Sequence, residues 1–358
     1  MSERRLLKGN EAVVYGALAA GVRCYFGYPI TPQNEIPELF ASLLPEQGGQ
    51  FVQAESEVAA VNMLLGAGAC GVQALVSSSG PGVSLMQEGL SYMAGSELPG
   101  VLVDMARGGP GLGDLCPTQG DYFQATRGGG HGDYRTLVLA PSTCQECHDM
   151  MPWAFDLAFR YRNPVIVLGD AMVGQMKEPV VCLPPAVCGE PGASRPGDAA
   201  AGWRLEGKGA RPARLLKSVW LNNNDLSVRT RRLMDKYASA RAEVRAELVG
   251  VDDAELVLVA FGSVGRIARA LVNRLRKEGK KTGLVRPLTL YPFPDEALHR
   301  LAGQGKRFLV LEQNTGQMVE DVRLAVEGRA RVDWFGVLPG RFPGEDDIIG
   351  PVLGALEG

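Results

Sequence analysis

No excess of basic charge marks this sequence: 37 Lys and Arg stand against 40 Asp and Glu, for a formal net charge of −3. That balance argues against nucleic acid or an anionic membrane surface as the main partner. No apolar run reaches the length of a membrane span, and Met1-Ser-Glu-Arg-Arg5 is not followed by the apolar core of an export signal. The expectation is a cytoplasmic chain with no membrane and no nucleic-acid partner. The seven cysteines are odd in number and irregular in spacing, which fits reduced thiols better than disulfides.

Several ligand motifs are also missing. No G-x-x-x-x-G-K-[ST] run occurs, so a P-loop is excluded. Gly262-Ser-Val-Gly265 follows an apolar run but lacks a third glycine and a placed acid for a ribose, so a tight strand-to-helix turn is the stronger reading. Cys144-Gln-Glu-Cys147-His148 gathers three potential ligands, yet no second pair stands at zinc spacing and no four-thiolate run exists. Core thiols are the simpler assignment, and no metal site is predicted in this chain. No Ser-His-Asp or Cys-His set stands out.

What is present is an ordinary globular composition, 46% apolar and 22% charged, over 358 residues, a length that suggests two or three domains. Strand-like and helix-like stretches alternate through the first 170 or so residues, as expected of a doubly wound parallel sheet. Expected helices cover 10–21, 33–44, 57–70, 83–94 and 143–161, and expected strands 22–28, 51–53, 72–79, 101–105, 136–139 and 165–168. Residues 175–215 are Pro- and Gly-rich, as in Leu183-Pro-Pro and Glu190-Pro-Gly, and read as a connector without periodicity; 226–249 read as a charged helix. A second, smaller α/β unit follows, with strands at 256–261, 282–287, 307–313 and 332–335. The domains are drawn at 1–175, 176–248 and 249–358.

The turns after Tyr28, Ser79 and Met105 lie at the carboxyl ends of strands, where such sheets bind ligands. Thr31 is placed as a helix N-cap with Pro32 at the first helical position, a terminus that would favour an anion. Glu57 enters a helix among Ala, Val and Gly, where a carboxylate is paired, protonated or put to use. Arg107 ends a strand before Gly108-Gly-Pro110, placed to grip a carboxylate in two-pronged fashion. His131, amid glycines in Gly128-Gly-Gly-His-Gly-Asp133, is either near a ligand or packed within its loop.

Tyr28-Pro-Ile-Thr-Pro32, Glu55-Ser-Glu57, Ser77-Ser-Ser-Gly-Pro-Gly82 and Arg107-Gly-Gly-Pro110 together resemble the alpha subunit of 2-oxoacid:ferredoxin oxidoreductases. Gly130-His-Gly-Asp133, Tyr161-Arg-Asn-Pro-Val-Ile-Val-Leu168, Arg286-Pro-Leu-Thr-Leu-Tyr-Pro-Phe-Pro294 and Glu312-Gln-Asn-Thr-Gly-Gln-Met318 agree. The branched-chain (2-oxoisovalerate) type is the nearest in look, the 2-oxoglutarate type next. The resemblance implies a thiamine diphosphate pyrimidine-binding domain followed by a transketolase C-terminal-like domain. It further implies that Glu57 meets the N1′ nitrogen of the cofactor as the catalytic acid, and that Thr31, Arg107 and His131 line the oxoacid site. Pro29, Ile30, Gly80 and Pro81 would line the cofactor with Glu57. It implies oxidative decarboxylation of a 2-oxoacid to acyl-CoA and CO2, with electrons passed to ferredoxin.

Gly169-Asp170-Ala171 is the nearest approach to the Gly-Asp-Gly of a diphosphate-binding domain, and no Asn follows at the required interval. No cluster motif and no CoA signature appear either. The expected complex therefore shares thiamine diphosphate with a thiamine-binding beta subunit. Mg²⁺ and [4Fe-4S] clusters lie on partners, which include a gamma subunit and a ferredoxin-like delta subunit. Two other readings compete: a non-catalytic α/β scaffold, which the retention of Glu57, Thr31 and Arg107 argues against, and a nucleotide-binding oxidoreductase acting alone, which the incomplete glycine motif argues against.

Overall fold

Apolar runs become strands, and amphipathic or small-residue stretches become helices. The computed structural model describes residues 3–186 and 200–357. The chain runs β1 (Glu3–Lys8), α1 (Gly9–Ala20), β2 (Cys24–Gly27), α2 (Glu35–Glu46), β3 (Gln50–Gln53), α3 (Glu57–Ala69), β4 (Ala74–Ser78) and α4 (Pro81–Ser96). It continues with β5 (Gly100–Ala106), α5 (Tyr122–Arg127), β6 (Leu137–Leu139), α6 (Cys144–Tyr161), β7 (Pro164–Asp170), α7 (Ala171–Gln175) and β8 (Lys177–Cys182). Then come α8 (Asp225–Ser239), β9 (Ala246–Val249), β10 (Leu256–Val259), α9 (Gly262–Lys277), β11 (Thr282–Pro287) and β12 (Thr289–Tyr291). The last elements are α10 (Asp295–Gly303), β13 (Arg307–Glu312), α11 (Met318–Val326), β14 (Val332–Gly336) and α12 (Glu345–Glu357).

The first sheet has the order β12-β6-β7-β5-β4-β2-β3 and is parallel except for β12. β4, β5 and β7 are buried at every position, which is why they read as unbroken apolar runs. α3, α4 and α5 cover one face, and α1, α2 and α6 the other. Each fully buried Leu, Val or Ile in these layers contributes about 1.5–3 kcal/mol. The second sheet has the order β14-β13-β10-β11-β9, parallel except for β9. This is the doubly wound α/β unit followed by a smaller one that the alternation predicts.

The two units share one core. Val83 and Leu102 of the first belong to the same packed cluster as Val259 and Val322 of the second, and the Tyr122 and Phe261 rings lie 5.5 Å apart. Gln119 joins the seam: its amide N–H donates to the Gln313 carbonyl at 2.8 Å, its Oε1 accepts from the Gln313 N–H at 2.9 Å, and its Nε2 donates to the Phe261 carbonyl at 2.8 Å.

Some expectations change. Residues 226–249 are not one helix, because 246–249 form β9, antiparallel to β11. The 175–215 stretch is not wholly irregular: β8 pairs antiparallel with β1 along six residues of each. The Glu190-Pro-Gly part lies outside the described residues. β12 leaves the second unit and pairs with β6 of the first. Cys144 and Cys147 are buried core thiols, and the buried His148 ring accepts from the Leu183 N–H at 3.2 Å.

Candidate active site

β2, β4 and β5 are neighbours in the first sheet, so the loops leaving their carboxyl ends meet along one edge. The loop after β2 carries Pro29, Ile30 and Thr31, that after β4 carries Gly80, and that after β5 begins at Arg107. Arg107 draws them together. Its Nη1 donates to the Thr31 carbonyl at 2.9 Å and its Nη2 to the Leu112 carbonyl at 3.3 Å. Its stem lies over Gly80, where a Cβ would stand 3.5 Å from Arg107 Cγ. Arg107 Nε is buried without a partner among the described residues, and with two of the five guanidinium N–H groups engaged, three remain for a ligand.

Thr31 does not cap a helix. α2 begins at Glu35, behind Asn34. The Pro32 carbonyl, which a helix starting there would use, instead accepts from Asn10 Nδ2 and from Gln175 Nε2, each at 2.8 Å. The Gln33 side chain turns inward to accept from Ser77 Oγ at 2.6 Å. These bonds hold residues 31–34 as a turn. Thr31 is left exposed, with its Oγ1 accepting from Asn34 Nδ2 at 3.3 Å. The helix N-terminus expected at Thr31 therefore lies further along the chain.

Glu57 opens α3 behind Ser56, whose hydroxyl accepts the Ala59 N–H at 3.2 Å. This cap fixes the first turn and turns Glu57 inward, leaving it 6% exposed. Across from it lies Gly82 of α4. A Cβ there would stand 2.1 Å from Ser78 Oγ and 2.5 Å from Glu57 Oε1, so only glycine leaves room for the carboxylate. No hydrogen bond to that carboxylate forms among the described residues, and the Ser78 and Ser79 hydroxyls are buried without partners there. An unclaimed carboxylate with the unclaimed Ser78 hydroxyl close to it suits a ring edge with mixed donor and acceptor groups, as an aminopyrimidine has. The residues present thus fit the cofactor implied by the sequence motifs.

His131 lies elsewhere. Its carbonyl accepts from Ser91 Oγ at 2.6 Å, ten residues along α4 from Pro81, or about 15 Å at the helical rise. The structure brings Thr31, Gly80 and Arg107 together, with Pro29 and Ile30 on the same loop and Glu57 across Gly82; it does not bring His131 to them.

Two features went unread in the sequence. One is the role of Gly82, which looks like a turn glycine until Glu57 is seen beside it. The other is Asp104, in register with Ser78 on the neighbouring strand. Burial pushes Asp104 well above the usual carboxylate range and pushes Asp121 up to about 6. Both Asp104 oxygens and Asp121 Oδ2 lack donors among the described residues, and the two carboxyls face each other, an arrangement that one shared proton satisfies and two charges would not. An aspartate inside the apolar run Val101-Leu-Val-Asp104 was the one available signal.

The Gly262-Ser-Val-Gly265 turn is already filled. Asp170 accepts from the Ser263 N–H at 3.3 Å at the start of α9, and also from the Met172 and Val173 N–H groups. A carboxylate of the chain itself thus occupies the place a phosphate would take.

Comparison with known proteins agrees with this geometry. Residues 15–201 match the family described as pyruvate flavodoxin/ferredoxin oxidoreductase, thiamine diphosphate-binding, and residues 254–348 match pyruvate:ferredoxin oxidoreductase core domain II. A ketoisovalerate oxidoreductase subunit VorB of Methanothermobacter thermautotrophicus is 49% identical over 322 residues, covering 90% of this chain and 89% of that protein. The solved 2-oxoglutarate:ferredoxin oxidoreductase of Magnetococcus marinus, with 2-oxoglutarate, coenzyme A and succinyl-CoA bound, superposes with a TM-score of 0.81 at 28% identity. That match covers 99% of this chain and 65% of that one. A split-gene transketolase, an inactive beta4 tetramer, shares the fold at a TM-score of 0.59 and 15% identity, covering 98% of each chain. With both family matches, and with a relative 49% identical over 90% of its length, the chain belongs to the 2-oxoacid:ferredoxin oxidoreductases, as an alpha-type subunit of an oxidoreductase that works as a complex.

Proposed function

We propose that this subunit supplies the acid and the oxoacid clamp for decarboxylation of 3-methyl-2-oxobutanoate to an acyl-CoA, with electrons leaving to ferredoxin. The observation that carries the reading is the Glu57 carboxylate, buried across Gly82 with the unclaimed Ser78 hydroxyl close to it. Thiamine diphosphate, when bound, supplies the electron sink for loss of CO2. Glu57 holds and returns a proton at N1′ of its ring, in a pocket dry enough to keep that proton from water. Pro29, Ile30, Gly80 and Pro81 wall the ring. Arg107 offers its free Nε, and Thr31 its exposed hydroxyl, to the oxoacid carboxylate. His131 has a role only where the bound complex brings its loop inward. The identity to the ketoisovalerate subunit supports the branched-chain substrate; the likeness to the 2-oxoglutarate enzyme keeps 2-oxoglutarate as the comparison substrate.

The chain does not complete the site alone. Val58, next to Glu57, and Leu85, one turn along α4 from Gly82, are 43% and 52% exposed, an apolar face that suits a beta subunit carrying the diphosphate and Mg²⁺. Gamma and delta subunits, the latter with [4Fe-4S] clusters, complete the route to ferredoxin, and CoA accepts the acyl group.

The test is co-purification of the tagged chain from its native cell under anaerobiosis, with viologen reduction assayed on 3-methyl-2-oxobutanoate, 2-oxoglutarate and pyruvate. The first acid is expected to give the highest kcat/KM. Glu57→Gln is expected to lower kcat at least ~100-fold without changing complex assembly. An unchanged rate in that variant removes Glu57 from the mechanism. A chain that elutes alone and inert supports a scaffold instead.

A further inference from the structure

The opposite edge of the first sheet holds an unbalanced group of cations. Glu97 closes α4 in the left-handed conformation, with φ at 53°, and is 3% exposed. Its carboxylate is met by Arg229 Nη2 at 2.6 Å, Arg232 Nη2 at 3.3 Å and Lys236 Nζ at 3.7 Å, all from α8. Arg162 Nε donates to the Glu97 carbonyl at 3.0 Å, and Lys236 Nζ donates to the Arg162 carbonyl at 3.2 Å. Three cations therefore pair with one carboxylate, and a fourth, Arg162, holds the carbonyl of the same residue. The Arg229 and Lys236 side chains are only 16% and 10% exposed. Burial, with Arg229, Arg162 and Arg232 adding to it and Glu97 opposing, brings Lys236 down to about 8.

Arg162, Arg229 and Arg232 line a cavity of about 260 Å³, joined by Arg214 and Lys217. At ~30 Å³ per water this is the space of roughly eight waters, enough for a diphosphate group. Cations withdrawn from water need counter-charge, and guanidinium forks match phosphate oxygens in two-pronged fashion. The ring of Trp203 already carries Arg162 at 4.8 Å, and that of Trp220 carries Lys217 at 4.4 Å and Arg229 at 5.5 Å. These rings hold the cations in place, and charge would select the ligand.

We propose that this cavity binds a phosphate- or diphosphate-bearing small molecule, at a site separated from Arg107 by the length of β5. Glu97 precedes β5 and Arg107 follows it, which sets the two edges about 20 Å apart. The same chemistry could come from free inorganic pyrophosphate or from the diphosphate of a larger metabolite.

Calorimetric titration of the full-length chain at pH 8, in two buffers of different ionisation enthalpy, separates the outcomes, with inorganic pyrophosphate and ADP as probes. Saturable one-to-one binding is expected, with proton uptake, because a bound anion favours the charged form of Lys236. Tighter binding of pyrophosphate assigns the free anion; tighter binding of ADP assigns the larger metabolite. Arg232→Gln combined with Lys217→Gln is expected to weaken binding at least tenfold, while Arg231→Gln, on an exposed neighbouring position of α8, leaves it unchanged. Repeating the titration on the complex from the native cell checks access. Non-saturating heats, equal weakening in all variants, or loss of binding in the complex overturns the proposal; the last would make this surface a partner contact.

Discussion

At the scale of single residues, the candidate site turns on what is left out. Gly82→Ala would drive a methyl group into Ser78 Oγ and Glu57 Oε1. It is expected to cost about 1–3 kcal/mol in stability and to abolish activity of the complex beyond that loss, read by comparing melting curves with kcat. Asp104 and Asp121 carry a pH dependence. Both fold with carboxyls raised by burial above their ordinary value of 3.8, so the folded state binds protons more tightly than the unfolded one. Their contribution is fully present below about pH 4 and is lost as pH rises through about 6 for Asp121 and higher for Asp104. Asp104→Asn keeps the shape without the ionisation. The variant is expected to gain melting temperature relative to the native chain at pH 8 and to gain little or nothing at pH 4. An equal shift at both pH values would remove the shared proton from the account.

At the scale of elements, Glu312 shows how one side chain fixes a helix. Its carboxylate, at the end of β13, accepts from the Met318 and Val319 N–H groups at 2.8 and 3.2 Å and from Trp334 Nε1 at 3.0 Å. It thereby caps α11 and ties it to β14. Glu312→Gln turns an acceptor into a group that also points donors at donors, for an expected loss of about 1–3 kcal/mol. Hydrogen exchange should show it first at the amides of 318 and 319. The elements also mark what the sequence could tell. β4, β5, β7, β10 and β11 were legible because central parallel strands, buried on both faces, leave continuous apolar runs. β1 and β8 were not, since β1 buries only Leu7 and β8 only Val180 and Cys182, and each has only the other as a partner. β12 was not, because three residues between Pro287 and Pro292 carry no signal and their partner β6 lies far back in the chain. The site divides the same way. Glu57, Thr31 and Arg107 stood at strand ends that the pattern exposes. The closeness of Gly82 to Glu57, and the distance of His131 from both, are created only by how α3, α4 and the following loop pack.

At the scale of the whole molecule, the two units are held by buried charge as well as by the shared core. Arg286 of β11, with its side chain 3% exposed, donates to both Glu146 oxygens at 3.0 and 2.6 Å and to Glu247 at 2.6 Å. Glu146 belongs to α6 of the first unit. Arg286→Ala removes the shared partner of two carboxylates that are 23% and 28% exposed, Glu247 keeping Arg269 at 3.2 Å, and is expected to destabilise the chain by about 1–3 kcal/mol. The chemical denaturation curve should shift to lower denaturant while remaining a single transition. Two resolved transitions would mean that the units unfold separately. β12 bears on how such a gene can be divided. A cut between the units would take the outermost ribbon of the first sheet away with the second polypeptide, leaving β6 as a bare edge open to foreign strands. Fission between the units would therefore have to supply a new edge strand for β6 first.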